Sequence, residues 1–293
     1  MCCLFLAASS TVAIAQTNVV DLVNPIIGTN GMGHTFPGAC VPFGLVQLSP
    51  DTDTIPHNVD GKYPPRSYEY CAGYQHKDSS IVGFSHTHFS GTGHSDLGDI
   101  LIMPTTGTLK LNPGTATNPD GGYRSRFSHD TEISRPGYYE VMLADYGVKA
   151  QLTTTQRAGI HKYTYPTNSE NQRIILDMIH GIYNYDGKVL WTNIRVENDT
   201  LVTGYRITNG WARTNYTYFA MSFSKPITHY GCEEKAKVNY RGGYAKFNMK
   251  ENFPDIGGRK IVAYFDFDPK MSDELEVKVA LSGVSTEGAL KNL

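Results

Sequence analysis

The stretch YYEVMLADYGVKAQLTTTQRAGIHKYTY, residues 138–165, decides the fold class. It holds two short runs rich in aromatic and aliphatic residues, YEVML at 139–143 and GIHKY at 159–163. Side chains of a strand point alternately to the two faces of a sheet, and residues of these types favour strands. The stretch therefore predicts a meander of two or three antiparallel strands.

Similar runs, separated by Gly, Pro and Asp, recur about every ten residues along the chain. They fall at residues 44–48, 80–84, 99–103, 173–177, 188–196, 201–208, 216–223, 243–249, 260–267 and 275–281. No stretch keeps a sustained helical period, and no repeat of fixed length is evident. The pattern is typical of an all-β fold, and we expect a large antiparallel β-sandwich.

Composition and charge exclude several classes of protein. The 293 residues are 40% hydrophobic and 18% charged, which is enough for a sizeable core. The net charge is −2, from 26 basic and 28 acidic residues. No basic patch of the kind that nucleic acid needs is visible, and past the N-terminus no apolar run approaches the ~20 residues of a membrane span. We expect neither nucleic acid nor a membrane span.

Both ends of the chain have a distinct character. An apolar stretch at residues 4–8 and the small residues around Ala15 resemble a signal peptide over residues 1–15, although a frayed strand is an alternative. Export would place the protein outside the cell or in the periplasm. Residues 16–284 are then one β-sandwich domain, and residues 285–293 form a short helix capped by Ser285. We interpret that helix as the start of a linker to a further domain.

Chemically versatile side chains concentrate at residues 68–99. His86 and His88 lie two apart at the end of an apolar run, and His94, Asp96 and Asp99 follow a glycine-rich turn. Three interpretations are open. The group binds a metal such as zinc, or the histidines are neutral hydrogen-bonding groups in a polar loop, or glycines let the backbone approach a hydroxyl-rich ligand.

A second glycine-rich stretch, NPIIGTNGMGHTFPGA, covers residues 24–39. Its glycine spacing does not fit the G-x-G-x-x-G phosphate motif, and no helix follows it. Asn, Thr, His and Phe among the glycines suit a pocket for a polyol, but tight turns of β proteins need the same glycines.

Taken together, four stretches resemble the N-terminal domain of glycoside hydrolase family 92. They are VNPIIGTNGMGHTFPGACVPFGLVQLSPDT at 23–52, YCAGYQH at 70–76, GFSHTHFSGTGHSDLGDILIMPTTG at 83–107 and VKVALSGVSTEGALKNL at 277–293. The likeness covers residues 20–293 in order. The family comprises calcium-dependent exo-acting α-mannosidases. His94 and Tyr70 depart from the residues expected at their positions.

The resemblance implies an N-terminal β-sandwich packed on a C-terminal (α/α)6 barrel, with mannose-containing glycans as substrates. The general acid, the general base and most calcium ligands would lie in the barrel, so no catalytic residue and no metal ligand is assigned to this chain. Inverting hydrolysis needs two carboxyl groups ~6.5–9.5 Å apart. In an extended segment Asp96 and Asp99 would face opposite sides, which does not suit that pair.

The expected contribution of this chain is one wall of the mannose pocket. The residues assigned to it are Tyr70, Cys71, His86, Thr87, His88, Ser90, Gly91, Gly31, His34 and Phe36. Two alternatives stay open: a stand-alone carbohydrate-binding β-sandwich without catalysis, and a metal-dependent hydrolase using His86, His88 and Asp96. Cys40, Cys71 and Cys232 allow at most one disulfide in the mature chain.

Overall fold

The structure is a computed structural model that describes residues 18–53, 59–91, 96–235 and 252–293. Within these residues the chain forms eighteen strands and one α-helix. In chain order the strands are β1 Ala39–Cys40, β2 Gln47–Asp51, β3 Ser80–Ile81, β4 Gly83–Ser85, β5 Leu101–Thr105, β6 Ser125–Arg126, β7 Ile133–Arg135, β8 Tyr138–Leu143, β9 Val148–Thr154, β10 Ala158–Thr164, β11 Gln172–Asp177, β12 Val189–Asn198, β13 Leu201–Thr208, β14 Asn215–Phe223, β15 Ile227–Glu234, β16 Asp255–Gly258, β17 Ile261–Phe267 and β18 Glu274–Ser282.

Two large antiparallel sheets make up the fold, as the sequence predicts. Among the described residues, one sheet has the strand order β1-β2-β4-β5-β11-β17-β15, and the other has the order β16-β12-β13-β14-β18-β10-β9-β8-β7. The small pair β3-β6 stands apart. The predicted meander becomes β8, β9 and β10, whose residues alternate between buried and less buried positions.

The core lies between the two sheets as one continuous cluster of buried side chains. Phe223 of β14 meets Phe265 of β17 across the sandwich, with ring centroids 5.6 Å apart. Both faces of the central strand β11 are buried. Burial of this extent is the main source of stability in such a domain. It also fixes the loops at the ends of β2 and β4, which position the candidate site.

Some strand boundaries differ from the prediction. The run at 44–48 begins as a strand only at Gln47, because residues 41–44 form a turn closed by the Gly44 N–H to the Val41 carbonyl, 3.0 Å. The run at 80–84 divides into β3 and β4, which pair with different strands. The strand predicted at 243–249 and the signal peptide lie outside the described residues.

The helix α1, Thr286–Asn292, confirms the predicted helix and its cap. The Ser285 hydroxyl accepts a hydrogen bond from the Gly288 N–H at 3.0 Å, which satisfies one of the free donors at the helix start. The Asn292 amide donates to the Leu281 carbonyl at 2.8 Å and holds the helix against β18. Short 3-10 helices occupy Val19–Leu22, Pro65–Tyr70, Pro119–Gly121 and His129–Thr131.

Candidate functional site

The two glycine-rich stretches lie against each other. The Gly91 N–H donates to the His34 carbonyl at 2.8 Å, and the rings of Phe36 and His88 are 5.3 Å apart. Gly31 is held by Gln75, whose side chain accepts from the Gly31 N–H at 2.7 Å and donates to its carbonyl at 3.0 Å. The structure thus joins His34 to Gly91 and Phe36 to His88, four of the residues assigned to the pocket, and holds Gly31 against Gln75.

A cavity of about 640 Å³ opens beside this contact. Its wall includes Phe36, Phe43, Gln47, His88, Phe89 and Ser90. Phe43 and Phe89 are exposed, and Ser90 and Gly91 are exposed as well. The cavity has the size of a small-ligand site, with aromatic side chains and a few polar groups.

Behind the cavity wall, His88 belongs to a buried ionic cluster. Its Nδ1 lies 2.8 Å from the Gln47 carbonyl, and its Nε2 lies 2.8 Å from Asp51 Oδ1. The other oxygen of Asp51 lies 2.7 Å from Nε2 of His180. Burial alone would raise the pKa of Asp51, but His88 and His180 outweigh it and hold that pKa below its usual range. Both ring nitrogens of His88 are therefore engaged, Nδ1 by the Gln47 carbonyl and Nε2 by the ionised Asp51.

Gly73 makes room for this cluster. A Cβ atom at Gly73 would lie 2.0 Å from Asp51 Oδ1 and 3.1 Å from His88 Nε2. The φ angle of Gly73 is +82°, in the left-handed region that side chains with a Cβ disfavour. The glycine in the quoted YCAGYQH stretch therefore has a defined physical role, which is to let the backbone pass beside a buried carboxylate.

His86 lies between the two sheets and forms a different cluster. Its Nδ1 is 2.6 Å from the Ile100 carbonyl, and its Nε2 is 3.0 Å from Nε2 of His161 on β10. His161 Nδ1 is 2.8 Å from the Tyr163 hydroxyl. Burial lowers the pKa of His86 to about 4 and lowers that of His161 well below its usual value, so both rings are neutral at pH 7.

Neutrality fixes the direction of every hydrogen bond in this cluster. His86 Nδ1–H donates to Ile100, so its Nε2 accepts from His161, and His161 Nδ1 accepts from Tyr163. No ring nitrogen is left for a ligand while this arrangement holds. The structure places His86 in the core with 0% exposure, and its assignment to the sugar pocket stays a prediction.

Tyr70 and Cys71 are also buried, each 1% exposed. The Tyr70 hydroxyl donates to Asp78 Oδ1 at 3.0 Å, and its ring has the cations of Arg66 and Lys77 within 6.0 Å. Burial raises the pKa of the Cys71 thiol to about 11. In this structure neither side chain offers a free face for a pyranose ring, and their assignment to the pocket stays a prediction.

Other polar residues of the 83–107 stretch, within its described part, hold the loop together. Thr87 donates to Asp99 at 2.9 Å, and Asp99 also pairs with the buried guanidinium of Arg206 at 2.7 Å. Asp96 accepts from the backbone N–H groups of Trp211 and Ala212. The structure does not bring His86, His88 and Asp96 together as the ligands of one metal, because each of them is bonded to a different partner.

His94 lies outside the described residues. Within the described part of the chain, three groups that could share a metal ion come together elsewhere, at His76, His129 and Glu132. In the described part of the chain, Cys40, Cys71 and Cys232 form no disulfide.

Sequence reasoning missed Asp51, His180, Arg206 and Lys188. Lys188 is 1% exposed, and burial, reinforced by Arg206, lowers its pKa to about 7. No local motif marks these residues, since each meets its partners across the fold. For Asp51 a signal was available in the SPDT sequence at 49–52, where an acid ends an otherwise apolar run.

This large two-sheet sandwich with a loop-lined cavity at one edge has clear relatives. The family model described as the glycosyl hydrolase family 92 N-terminal domain matches residues 22–282. The chain therefore belongs to glycoside hydrolase family 92, as its N-terminal domain, and the resemblance drawn from the four stretches is confirmed.

Solved structures agree with this. A family GH92 α-mannosidase from Bacteroides thetaiotaomicron, solved in complex with mannoimidazole, is 40% identical with a TM-score of 0.80. The match covers 94% of this chain and 34% of that one. A family GH92 inverting mannosidase from the same species shares the fold, at 24% identity and a TM-score of 0.68, with 97% of this chain and 33% of that one covered.

A curated relative from Arthroderma benhamiae is described as an uncharacterized secreted glycosidase. It is 29% identical over 170 residues, which cover 55% of this chain and 19% of the relative. The chain thus spans about a third of the solved relatives and about a fifth of the fungal protein. Within its described residues, no helix has the length and apolar character needed to cross a membrane.

Proposed function

We propose that this chain is the N-terminal β-sandwich of an exported, exo-acting α-mannosidase that inverts the anomeric centre of mannose-containing glycans. The observation that carries the proposal is the likeness to the mannoimidazole-bound α-mannosidase, at 40% identity over 94% of the chain. Since the chain spans about a third of that relative, we place the acid and base carboxyl groups in a further (α/α)6 barrel domain.

The geometry supports this division of labour. Asp51, Asp96 and Asp99, three carboxylates of the stretches that carry the family resemblance, are all bonded inside the chain. A general acid must protonate the leaving oxygen and a general base must activate water, and both need free carboxyl groups that face the glycosidic bond. These three aspartates instead hold the loops in place.

Calcium, the ion that the family implies, finds no suitable site among the same residues. Ca²⁺ takes six to eight oxygen ligands. Asp51 is bound by two histidines and Asp99 by Arg206 and Thr87, so these carboxylates are not available as ligands. We propose that calcium belongs to the further domain.

The role that we propose for this chain is to shape the mannose pocket and to orient the sugar in it. Phe36 and Phe89 offer aromatic surface for the apolar C–H face of a sugar ring, and the exposed Ser90 hydroxyl offers a hydrogen bond beside it. His88 acts indirectly, because both its ring nitrogens are engaged and it supports Phe36 and the 88–91 loop from behind. Hydroxyl groups held in this way favour one orientation of the sugar over others.

The test uses the complete coding sequence beside this chain alone, each assayed with aryl α-mannosides. We expect hydrolysis only for the complete protein. NMR of the released sugar should show that its anomeric configuration is inverted. Ser90→Ala should lower the kcat/KM of the complete protein by about tenfold, as expected for one lost hydrogen bond, and Ser169→Ala, in a distant turn, is the matched control.

N-terminal sequencing of the exported protein should give Gln16 first.

Hydrolysis by this chain alone would refute the division of labour. The stand-alone carbohydrate-binding alternative, which the family match does not favour, would require mannoside binding by this chain and no hydrolysis by the complete protein. Retention of the anomeric configuration would refute the inverting reaction.

A further inference from the structure

Three side chains that can ligate a metal meet at a place separate from the cavity. His76 lies in the segment before β3, and His129 and Glu132 lie in and just after the short 3-10 helix before β7. Each offers one ligand atom, and these three atoms lie within 4.8 Å of one another. The chain thus brings two imidazoles and a carboxylate from two segments to one point.

Glu132 is the anchor of this cluster. Its side chain is 3% exposed, and it accepts hydrogen bonds from the Tyr74 hydroxyl at 2.8 and 3.0 Å and from the Tyr139 hydroxyl at 2.6 Å. Donors of this kind fix the orientation of a carboxylate and are the usual support of a metal-binding carboxylate. A buried anion held by neutral partners also favours a nearby cation.

The two histidines lie face to face next to it. Their ring centroids are 3.9 Å apart with an interplanar angle of 30°, and His129 Nδ1 is 2.6 Å from Glu132 Oε2. Nδ1 of His76 is shielded from solvent and has no hydrogen-bond partner. The backbone of His76 is fixed by its N–H, which donates to the Thr29 carbonyl at 2.8 Å. A buried ring nitrogen without a partner costs free energy that a metal bond would recover.

We propose that His76, His129 and Glu132 bind one Zn²⁺ ion, with water as the fourth ligand. Two imidazoles and one carboxylate suit zinc, whereas calcium and magnesium prefer oxygen alone. The side chain of His129 is 38% exposed, which leaves an open path for the ion and the water.

Binding requires the side chains to shift. Ligands of a tetrahedral zinc with bonds of about 2.0–2.1 Å stand ~3.3 Å apart, so His129 and Glu132, now 2.6 Å apart, would separate by about 0.7 Å, and a pair as far apart as 4.8 Å would close by about 1.5 Å. The exposed His129 can make this movement. The ion would then tie the 71–79 segment, and through Thr29 the glycine-rich 24–39 stretch, to the turn at 128–132.

This inference goes beyond the mannosidase proposal and is tested without any activity measurement. The full chain is prepared without a polyhistidine tag, freed of metal with a chelator, and equilibrated with zinc or with calcium. We expect about one zinc per chain by elemental analysis, and a melting temperature raised by about 5 °C by zinc but not by calcium. Cobalt in place of zinc should show the visible absorption of a four-coordinate site.

Variants assign the ligands. His129→Ala and His76→Ala should each weaken zinc binding by at least about tenfold, and Tyr74→Phe by about tenfold with the stoichiometry kept. His229→Ala is the matched control, because His229 lies on β15 beside Asp266 and not in this cluster. Circular dichroism checks that each variant folds, and His129→Gln serves if His129→Ala does not. A chain that binds no zinc, or loses it equally in His229→Ala, would overturn the proposal.

Discussion

His86 and His88 stand two residues apart in the sequence, yet they belong to two buried clusters of opposite character. His86 joins His161 and Tyr163 in a chain of neutral hydrogen bonds between the sheets. His88 joins Asp51 and His180 in an ionic cluster behind the cavity. The difference teaches that the partners supplied by the fold, and not the H-x-H spacing, decide the surroundings of each ring.

The largest effect should come from removing the charge at the centre of the ionic cluster. Asp51→Asn removes the buried carboxylate that faces His88 and His180, and breaking a buried ionic contact by removing one partner typically costs about 3–5 kcal/mol of unfolding free energy. Urea denaturation measures this loss of unfolding free energy. Asp120→Asn is the control, since Asp120 is exposed in its pair with Arg126 and contributes little. Equal losses in the two variants would show that Asp51 is not in an ionic cluster.

The pH dependence should separate the two clusters. The folded pKa of His86 is about 4, against ~6.5 in the unfolded chain, so between these values only the unfolded chain takes up the proton. Stability should therefore fall as the pH drops from 6.5 to 4, by about 3 kcal/mol for His86. The lowered pKa of Asp51 affects stability only at lower pH. Its stabilising contribution is present above pH ~3.9 and is lost as the pH falls below that value.

The measurement is the free energy of unfolding at several pH values between 7 and 3.5. His161→Phe removes one of the two buried rings and should flatten the slope between pH 6.5 and 4.5. A wild-type profile that is flat in this range would contradict the neutral state of the His86 cluster.

A glycine comparison tests the space that the ionic cluster needs. Gly73→Ala and Gly187→Ala both place a Cβ at a positive φ, +82° and +87°, but only at Gly73 does the Cβ meet other atoms. We expect Gly73→Ala to cost about 1–3 kcal/mol more than Gly187→Ala in unfolding free energy. Thermal and urea unfolding of the pair measure the difference, and similar costs would show that the cluster adapts.

The smallest effect concerns the end of the neutral chain. Tyr163→Phe leaves His161 Nδ1 without its donor, at a cost of about 1–2 kcal/mol in unfolding free energy. Tyr216→Phe, at an exposed position of β14, should change stability by less than about 0.5 kcal/mol. If the two variants unfold at the same urea concentration, the hydrogen bond from Tyr163 to His161 contributes nothing.

Much of the fold could be predicted from the sequence because strands and helix caps depend on residues that are close together in the chain. The strand at 201–208 and the Ser285 cap match the structure residue by residue, since alternation and capping depend on near neighbours. The division of 80–84 into β3 and β4 could not be predicted, because it depends on which distant strand each half pairs with.

The candidate site was predictable to the same degree. The two glycine-rich stretches, both assigned to the mannose pocket, lie against each other at the Gly91–His34 contact, and their role in binding sugar stays a prediction. That His86 faces His161 did not follow, because these residues are 75 apart and the sequence carries no sign of their contact. The burial of Tyr70 likewise did not follow from the sequence, because it depends on the contact between the Tyr70 hydroxyl and Asp78.

The separation of Asp51 and His180 has a consequence for synthesis of the chain. At about 5–20 residues per second, a ribosome needs on the order of ten seconds to add the 129 residues between them. Until then the Asp51 carboxylate must remain hydrated, and β11 is not yet beside β5. We expect the cavity wall to stay open through that interval, so stalled nascent chains that end before β11 should be cut by protease near Asp51, while released full chains resist.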